Sequence, residues 1–321
     1  MAFADILGQE PAVRTLERAL ESGRVHHAYR FEGPDGVGKE LAAFALAQAL
    51  VCEKGPPACG QCSACHRATT LAETKPEVPL HPDVVLVERG LYRDVLSSSE
   101  ATGIGIEQVR RIVLGRVGFT PHEGRALVFI VRAADELTQQ AANALLKTLE
   151  EPTSRTHFVL LTSKPSRLLD TIRSRTLPVR FAPLPDNVVA RILEQKGLDP
   201  TVAPLAQGSA SLALLLADPE RQADRESFVS GVFQALEAAD LVSALKLGES
   251  RRAERQELAE LLGHLGQALA SRARADAGSQ PARAERLAQQ YGVVLATIGE
   301  LEKNVQPALA FESMMVQLRQ I

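Results

Sequence analysis

The chain has 321 residues, more than one ordinary domain of about 100–200 residues holds, so two or three domains are expected. The composition is 45% hydrophobic but only 4% aromatic, which favours helices packed through aliphatic side chains. With 36 Lys and Arg against 39 Asp and Glu, the formal net charge of -3 excludes the overall positive field that free-standing nucleic-acid binders use.

The amino-terminal stretch shows no targeting pattern. It carries Asp5 and lacks the basic segment and apolar core of a secretory signal. No apolar run in the sequence reaches the length that spans a bilayer. We therefore expect a cytoplasmic protein without a membrane segment.

A strand, a glycine loop and a helix are predicted in succession over His27–Glu32, Gly33–Lys39 and Glu40–Val51. The loop has the spacing G-x-x-x-x-G-K of a phosphate-binding loop (P-loop). In such a loop the glycines let backbone N–H groups close around phosphates, and the lysine contacts the outer phosphates. The candidate nucleotide-binding residues of this loop are Gly33, Gly36, Gly38, Lys39 and Glu40.

The residue after the lysine departs from the pattern. It is Glu40, where a P-loop has the Ser or Thr whose hydroxyl holds Mg²⁺. A carboxylate at this position adds negative charge beside a triphosphate. Two interpretations therefore stay open: a loop that still binds ATP or ADP, and a glycine turn retained for packing.

All four cysteines lie in one short stretch with the spacing C-x6-C-x2-C-x2-C. Four thiolates this close, in a chain without a secretory signal, suit a tetrahedral structural Zn²⁺ better than disulfides. The predicted ligands are Cys52, Cys59, Cys62 and Cys65. The alternative is a group of unrelated free thiols.

Three further apolar runs, Val84–Val87, Ala126–Val131 and Phe158–Thr162, have the length and continuity of strands buried on both faces of a parallel sheet. Apolar residues at three- and four-residue steps predict a helix over Thr138–Glu150. The alternation of elements up to about residue 182 predicts a doubly wound α/β domain, a parallel sheet with helices on both faces.

The strand that would carry a second magnesium motif, Leu127–Val131, runs into Arg132-Ala133-Ala134 instead of acids. Asp135 and Glu136 lie three residues too far along to replace them, and we interpret them as helix N-terminal charges. Because the hydroxyl and the acids are both missing, the sequence predicts no productive ATP hydrolysis by this chain.

Two prolines shortly after residue 182 mark a change in the pattern. Residues 1–182, which include the cysteine module at 52–65, are predicted to form the α/β domain. Residues 183–218 are predicted as a small helical domain. Residues 219–321 show helical patterns only and are predicted as an all-α domain, so we expect three domains.

The segment Thr69–Gly103 lacks sustained periodicity and contains the polar run Ser97–Glu100. These features predict a mobile excursion from the α/β domain, with one short strand, Val84–Val87, inside it. The residues of this segment indicate no particular role for it.

Two arginines, Arg173 and Arg175, follow the strand that ends at Thr162. At the edge of such a domain, a guanidinium is able to reach a phosphate bound by a neighbouring subunit. On the spacing alone, a solvated pair of arginines is the favoured interpretation.

Several stretches together resemble the bacterial clamp-loader family of AAA+ proteins. They are Gly33–Lys39, the four cysteines, Asn143–Pro152 with the sequence NALLKTLEEP, and Thr171–Arg175. The similarity extends over nearly the whole chain, and NALLKTLEEP is its most specific element. It implies an AAA+ P-loop domain with a zinc module, a small helical lid domain and an all-α C-terminal collar domain.

The resemblance also implies roles for single residues. The Ser-Arg-Cys motif of gamma/tau, the ATPase subunit of that family, corresponds to Ser174-Arg175-Thr176 here, so Arg175 is implied to be an arginine finger acting in trans. Thr162 falls at the sensor-1 position, and Ser211 stands where gamma/tau has a lid arginine. This combination resembles the delta-prime branch, a stator beside ATP-driven subunits.

The implied setting is the DNA polymerase III holoenzyme, a nucleotidyltransferase complex. The implied partners are the gamma/tau and delta subunits and, through the complex, the sliding clamp (beta) and primed DNA, with no membrane. Polymerase chemistry would belong to the complex and not to this chain. Two other interpretations stay open: a competent gamma/tau-type ATPase, and an AAA+ relative that binds nucleotide outside any clamp loader.

Overall fold

The computed structural model describes residues 3–96, 103–123, 125–151, 155–237, 255–303 and 305–321. By its internal contacts the chain divides into two compact units, Met1–Ala217 and Asp218–Ile321. The helices between residues 183 and 217 belong to the first unit together with the sheet. The division into three domains stays a prediction.

The first unit is built on a sheet of five strands. They are β1 (Ala28–Glu32), β2 (Val84–Val87), β3 (Leu127–Val131), β4 (Thr156–Thr162) and β5 (Leu177–Arg180). Their order is β2-β3-β4-β1-β5, and all neighbours are parallel. This topology confirms the predicted α/β class, and β1 to β4 lie where the apolar runs predict strands.

Strand β5 is not predicted by the sequence pattern. Its sequence, Leu-Pro-Val-Arg, contains Pro178, and only Val179 is buried. The strand lies at the edge of the sheet beside β1, where a proline is tolerated because one side of the strand needs no hydrogen bonds. A short, exposed strand with a proline has no continuous apolar pattern to recognise.

Helices cover the sheet on both faces. In chain order they are α1 (Glu10–Glu21), α2 (Lys39–Val51), α3 (Ser63–Thr69), α4 (Arg93–Leu96), α5 (Ile106–Gln108), α6 (Gln139–Glu150), α7 (Asp170–Arg173), α8 (Asp186–Gln195) and α9 (Ala210–Ala217). A π-helical turn, Val109–Leu114, continues α5. The helix predicted over Thr138–Glu150 is confirmed as α6, with Thr138 as its N-cap.

Two hydrophobic cores result from this arrangement. Because alternate residues of a strand point to opposite faces, Val128 and Ile130 of β3 belong to one core and Phe129 to the other. The first core packs α1, α2, α8 and α9 against the sheet, and the second packs α6 and the π-helical turn. Burial on both faces explains why the strands read as continuous apolar runs.

The described part of Thr69–Gly103 packs onto the first unit through β2. Asp83, just before β2, is buried, and its carboxylate accepts hydrogen bonds from the backbone N–H groups of His122 at 2.6 Å and Glu123 at 2.8 Å. This contact joins the start of β2 to the segment that precedes β3. Residues 97–102 lie outside the described residues, and the mobility of the segment stays a prediction.

The second unit contains only helices in the part that the structure describes. They are α10 (Pro219–Glu237), α11 (Arg255–Asp276), α12 (Pro281–Glu302) and α13 (Pro307–Gln320). Their core includes Phe228 and Phe311, with ring centroids 5.9 Å apart. None of the described helices is both long enough and apolar enough to cross a membrane.

Asp83→Ala is expected to lower the free energy of unfolding by about 1–3 kcal/mol, because two backbone N–H groups lose their acceptor. The matched control is Asp94→Ala, which removes an exposed carboxylate of α4 and should change this free energy by less than about 0.5 kcal/mol. Urea denaturation followed by circular dichroism measures both variants. Equal losses of this free energy in the two variants would contradict a stabilising role of the two hydrogen bonds that Asp83 accepts.

Candidate functional site

The carboxyl ends of the parallel strands meet at one edge of the sheet, and a cavity of about 580 Å³ opens there. Most of the predicted nucleotide-binding residues line it, namely Gly36, Gly38, Lys39, Glu40 and Thr162. Gly33 lies at the end of β1, where its N–H donates to the carbonyl oxygen of Thr162 at 3.2 Å. The fold therefore brings the predicted loop and the predicted sensor-1 residue together.

Lys39 is turned onto its own loop. Its Nζ donates hydrogen bonds to the carbonyl oxygens of Gly33 and Pro34, both at 2.5 Å, and lies 3.4 Å from Oδ1 of Asp35. Burial lowers the pKa of Lys39, and the nearby Asp35 opposes that shift. A phosphate that enters the loop would have to compete with these carbonyl oxygens for the ammonium group.

Arg132, directly after β3, joins three elements of the site. Its Nη2 donates to Oε1 of Glu40 in the first turn of α2, and its Nη1 donates to Oε2 of Glu88, directly after β2, at 2.6 Å. Burial by itself would lower the pKa of Arg132, but hydrogen bonds to Glu88 and Glu40 raise it above its ordinary value. The guanidinium is therefore a fixed positive charge at the edge of the sheet.

A magnesium ion does not fit this arrangement. A P-loop NTPase holds Mg²⁺ through a hydroxyl after the lysine and an acid after the strand. The corresponding residues are Glu40 and Arg132, and a guanidinium has only N–H donors, which cannot ligate a cation. The two replacement residues form an ion pair with each other instead.

Thr162, at the position implied for sensor 1, is buried and bonded within the chain. Its Oγ1 donates to Oδ1 of Asp135 at 2.6 Å and accepts from the backbone N–H of Lys164 at 3.0 Å. Asp135 lies in the 3-10 turn Ala134–Glu136 and lines the cavity. Asp135 therefore has a hydrogen-bonding role beyond that of a helix N-terminal charge.

The start of α9 closes over the tip of the loop. The N–H of Ala210 donates to the carbonyl oxygen of Gly36 at 2.9 Å. A Cβ at position 36 would stand 2.0 Å from the hydroxyl oxygen of Ser211, and the φ of Gly36 is +75°, so any other residue here would be strained. Ser211 lines the cavity with a hydroxyl where the family resemblance implies a lid arginine.

The four cysteines form a cluster at the end of α2 and the start of α3. All four Sγ atoms lie within 4.8 Å of one another. The Sγ–Sγ distance is 4.0 Å for Cys52 and Cys62, and 3.9 Å for Cys59 and Cys65. Four sulfurs at about 2.3 Å from a tetrahedral Zn²⁺ stand about 3.8 Å apart, so the cluster fits a structural zinc ion.

Hydrogen bonds from the backbone and burial give the thiols of Cys59 and Cys65 different pKa values. Hydrogen bonds from the N–H groups of Gln61 and Cys62 lower the pKa of Cys59 to about 6, whereas burial raises the pKa of Cys65 to about 12. Zinc binds the thiolate form of each cysteine. Binding would therefore displace a proton from Cys65, and the affinity for zinc would fall as the pH falls.

We expect one zinc ion per purified chain and its loss in Cys62→Ser. Structural zinc contributes about 10–16 kcal/mol of apparent binding free energy in zinc-finger peptides, so the melting temperature should fall as well. The matched control is His66→Ala, which removes an exposed possible ligand of α3 outside the cluster. Elemental analysis and thermal melting measure both variants, and full zinc content in Cys62→Ser would contradict the assignment.

Arg175 lies in the turn between α7 and β5, and its side chain is 34% exposed. Its Nη1 donates to the carbonyl oxygen of Thr171 at 3.0 Å and to Oγ of Ser174 at 3.1 Å. Its Nη2 lies 2.5 Å from Oε1 of Glu150, which ends α6 and belongs to the NALLKTLEEP run. Two of the stretches that carry the family resemblance thus contact each other through this ion pair.

A buried arginine supports the turn that carries Arg175. Arg30 of β1 is 6% exposed, and its Nη1 donates to the carbonyl oxygen of Arg173 at 2.9 Å and to Oγ1 of Thr176 at 2.7 Å. Its Nε pairs with Oε1 of Glu32 at 2.5 Å. The hydroxyl of Thr176, where the family resemblance implies a cysteine, therefore anchors the turn to the sheet.

Thr176→Val keeps the shape of the side chain but removes the acceptor of a buried N–H of Arg30. We expect the free energy of unfolding to fall by about 1–3 kcal/mol. Thr176→Ser retains the hydroxyl and is the matched control, with a smaller loss. Urea denaturation compares the two, and equal stability of the Val and Ser variants would show that the hydroxyl contact contributes nothing.

Three features of this region were missed in the sequence analysis: the ion pair of Glu40 with Arg132, the contact of Thr162 with Asp135, and the support from Arg30. The first had a signal in the sequence, because the two replacement residues carry opposite charges. Arg30 also had one, since a charged residue inside a buried strand requires partners. The contact of Asp135 had none, because the strand ends that meet there are distant in sequence.

The sheet order and the P-loop between β1 and α2 define an AAA+ P-loop protein. A DNA polymerase III gamma subunit-related protein from Thermotoga maritima supports this fold, with a TM-score of 0.52 and 16% identity over 96% of this chain and 98% of that one. The sequence profile of the family described as "DNA polymerase III, delta subunit" matches residues 8–185. The chain belongs to this family of clamp-loader proteins.

Curated relatives agree with the family. The gamma/tau subunit of DNA polymerase III from Mycobacterium tuberculosis is 38% identical over 212 residues, which are 64% of this chain and 34% of the relative. The delta' subunit from Bacillus subtilis is 37% identical over 189 residues, which are 58% of this chain and 52% of the relative. The chain thus covers about a third to a half of the length of these relatives.

Proposed function

We propose that this chain is a delta-prime-type subunit of the DNA polymerase III clamp loader. It acts as the stator of the assembly, which uses ATP to place the sliding clamp on primed DNA. The chain does not itself hydrolyse ATP. The observation that carries the proposal is the ion pair of Glu40 with Arg132, at the two positions where a P-loop ATPase binds its metal.

The catalytic contribution of the chain is an arginine offered to a neighbour. Arg175 is part of an exposed turn that Arg30 anchors to the sheet, so its backbone is held while its guanidinium reaches the surface. A planar guanidinium placed at the phosphates of a bound ATP neutralises charge that develops in the transition state. To serve a neighbouring subunit in this way, Arg175 exchanges its contact with Glu150 for one with the phosphates.

The proposed partners follow from this role. They are the gamma/tau subunit, whose ATP site receives Arg175, and the delta subunit. The sliding clamp and primed DNA interact with the chain through the complex, and polymerase chemistry belongs to the holoenzyme. In this proposal residues 1–182 are the AAA+ domain, residues 183–218 the lid domain and residues 219–321 the collar domain.

The proposed cofactor is a structural zinc ion at the four cysteines. Their sulfur distances and the hydrogen bonds that several thiols accept from backbone N–H groups support this assignment. The zinc ion stabilises the loop between α2 and α3 and takes no part in ATP hydrolysis. The P-loop keeps its glycines and its lysine, and nucleotide occupancy there is not required for the stator role.

A second candidate function is that of an active gamma/tau-type ATPase. It is favoured by the relative named gamma/tau from Mycobacterium tuberculosis, at 38% identity, and by the one named tau from Escherichia coli, at 35%. In that case Glu40 would be tolerated beside the triphosphate and another acid would hold the metal. Magnesium-dependent ATP turnover by the isolated chain distinguishes this candidate from the stator.

Arg175→Ala is expected to abolish ATP hydrolysis at the neighbouring site that receives the arginine. An arginine finger raises the rate of hydrolysis at the site that it serves by a factor of about 10³–10⁵. The ATP turnover of the reconstituted clamp loader, measured with clamp and primed DNA, should then fall by at least the fraction of the total turnover that this site contributes. The matched control is Arg173→Ala, a neighbouring exposed arginine paired with Asp170, which should leave turnover near that of the wild type.

Assembly of the complex is verified by gel filtration, so that a loss of turnover reports the missing arginine. Equal turnover for Arg173→Ala and Arg175→Ala contradicts the arginine-finger role. Lys39→Ala tests the second candidate: a large loss of turnover with this variant, while Arg175→Ala has little effect, identifies the chain as a motor subunit.

A further inference from the structure

In the P-loop pocket, both positions that normally hold a metal ion carry a different charge in this chain. A P-loop NTPase has a neutral hydroxyl after the lysine, and this chain has the anion Glu40. A P-loop NTPase also has an acid after a later strand, and at this position the present chain has the cation Arg132. Glu40 alone would leave an added negative charge beside the phosphate loop, but together with Arg132 it forms an ion pair.

The ion pair is part of a three-residue bridge at the edge of the sheet. The guanidinium of Arg132 contacts Glu88 as well as Glu40, and so connects β2, β3 and the first turn of α2. Its side chain is 24% exposed, less than either carboxylate. A cation held between oxygen ligands beside the P-loop lysine is the charge arrangement that Mg²⁺ provides in an active site.

The other acids that line the cavity already have partners. Asp135 accepts a hydrogen bond from Thr162, and Glu136 lies 3.9 Å from a guanidinium nitrogen of Arg89. Asp35 lies 3.4 Å from the ammonium group of the P-loop lysine. These contacts leave Arg132 as the group that stands where the metal of a P-loop site would be ligated.

We propose that Arg132 takes the place of the magnesium ion of a P-loop site, so that nucleoside phosphates bind in this pocket without any dependence on Mg²⁺. The proposal rests on the proposed function, since a subunit that leaves hydrolysis to its neighbours needs no metal in its own loop. It goes further, because it assigns a residue to the place of the metal and states which exchange returns the site to metal dependence.

The test replaces both residues at once in the full-length purified chain. Glu40→Thr restores the hydroxyl and Arg132→Asp restores the acid, and the two single variants are the matched controls. Binding of a ribose-labelled fluorescent ATP analogue is titrated in buffer without divalent cations and again with millimolar Mg²⁺. No chelator is used, because a chelator would also remove zinc from the cysteine cluster.

The double variant is expected to bind the analogue about tenfold or more tightly when Mg²⁺ is added. The wild type should show the same titration with and without Mg²⁺. Glu40→Thr alone should also stay independent of Mg²⁺, because the guanidinium still fills the place of the metal. Arg132→Asp alone brings three carboxylates together, so its melting temperature should fall below that of the double variant.

Two results overturn the proposal. One is a wild type whose affinity for the analogue rises tenfold with Mg²⁺, and the other is a folded double variant without any response to Mg²⁺. If the double variant does not fold, the thermal melt of the wild type with ATP decides: no stabilisation, or a larger one when Mg²⁺ is added, overturns the proposal, and a stabilisation that is equal with and without Mg²⁺ supports it.

The result also separates this proposal from the proposed function. Magnesium-dependent binding by the wild type without ATP turnover overturns only the role of Arg132. Magnesium-dependent binding together with turnover by the isolated chain overturns both. The arginine-finger experiment uses the assembled clamp loader and Arg175, so its outcome does not depend on the titrations.

Discussion

The parallel direction of all five strands is the constraint on which the rest of the first unit depends. Parallel strands need helical crossovers, which cover both faces of the sheet, so the strands inside the sheet are largely apolar on both sides. The same direction brings every carboxyl end to one edge. The P-loop after β1, Glu88 after β2, Arg132 after β3 and Thr162 at the end of β4 meet there for this reason alone.

Charge at that edge is balanced within the chain. The ammonium group of Lys39 is held by loop carbonyls, the guanidinium of Arg132 by Glu40 and Glu88, and the hydroxyl of Thr162 by Asp135. An active P-loop site leaves such groups to a nucleotide and a metal ion. Here contacts within the chain take the place of the nucleotide and the metal ion, which supports the proposed stator role.

The strand β1 connects this edge to the turn of Arg175. Its residue Arg30 is buried, pairs with Glu32 just before the P-loop, and binds the turn that carries Arg175 through Thr176. A buried guanidinium is tolerated only when its donors are paired, so this network specifies one arrangement of the turn. The surface arginine is thereby positioned by the same strand that leads into the P-loop.

The sequence by itself determined the α/β class, four of the strands, α6 and the grouping of the cysteines, because continuous apolar runs, helical spacing and short ligand spacing are local patterns. It did not reveal β5, whose proline and exposure remove the apolar signal. Only the tertiary structure decided that Arg132 pairs with Glu40, that Asp135 accepts from Thr162 and that Arg30 holds the turn of Arg175. These contacts join residues that are 27 to 146 positions apart. The physical reason is that burial and the parallel sheet select the partner of a charged group, and neither is visible in a local stretch of sequence.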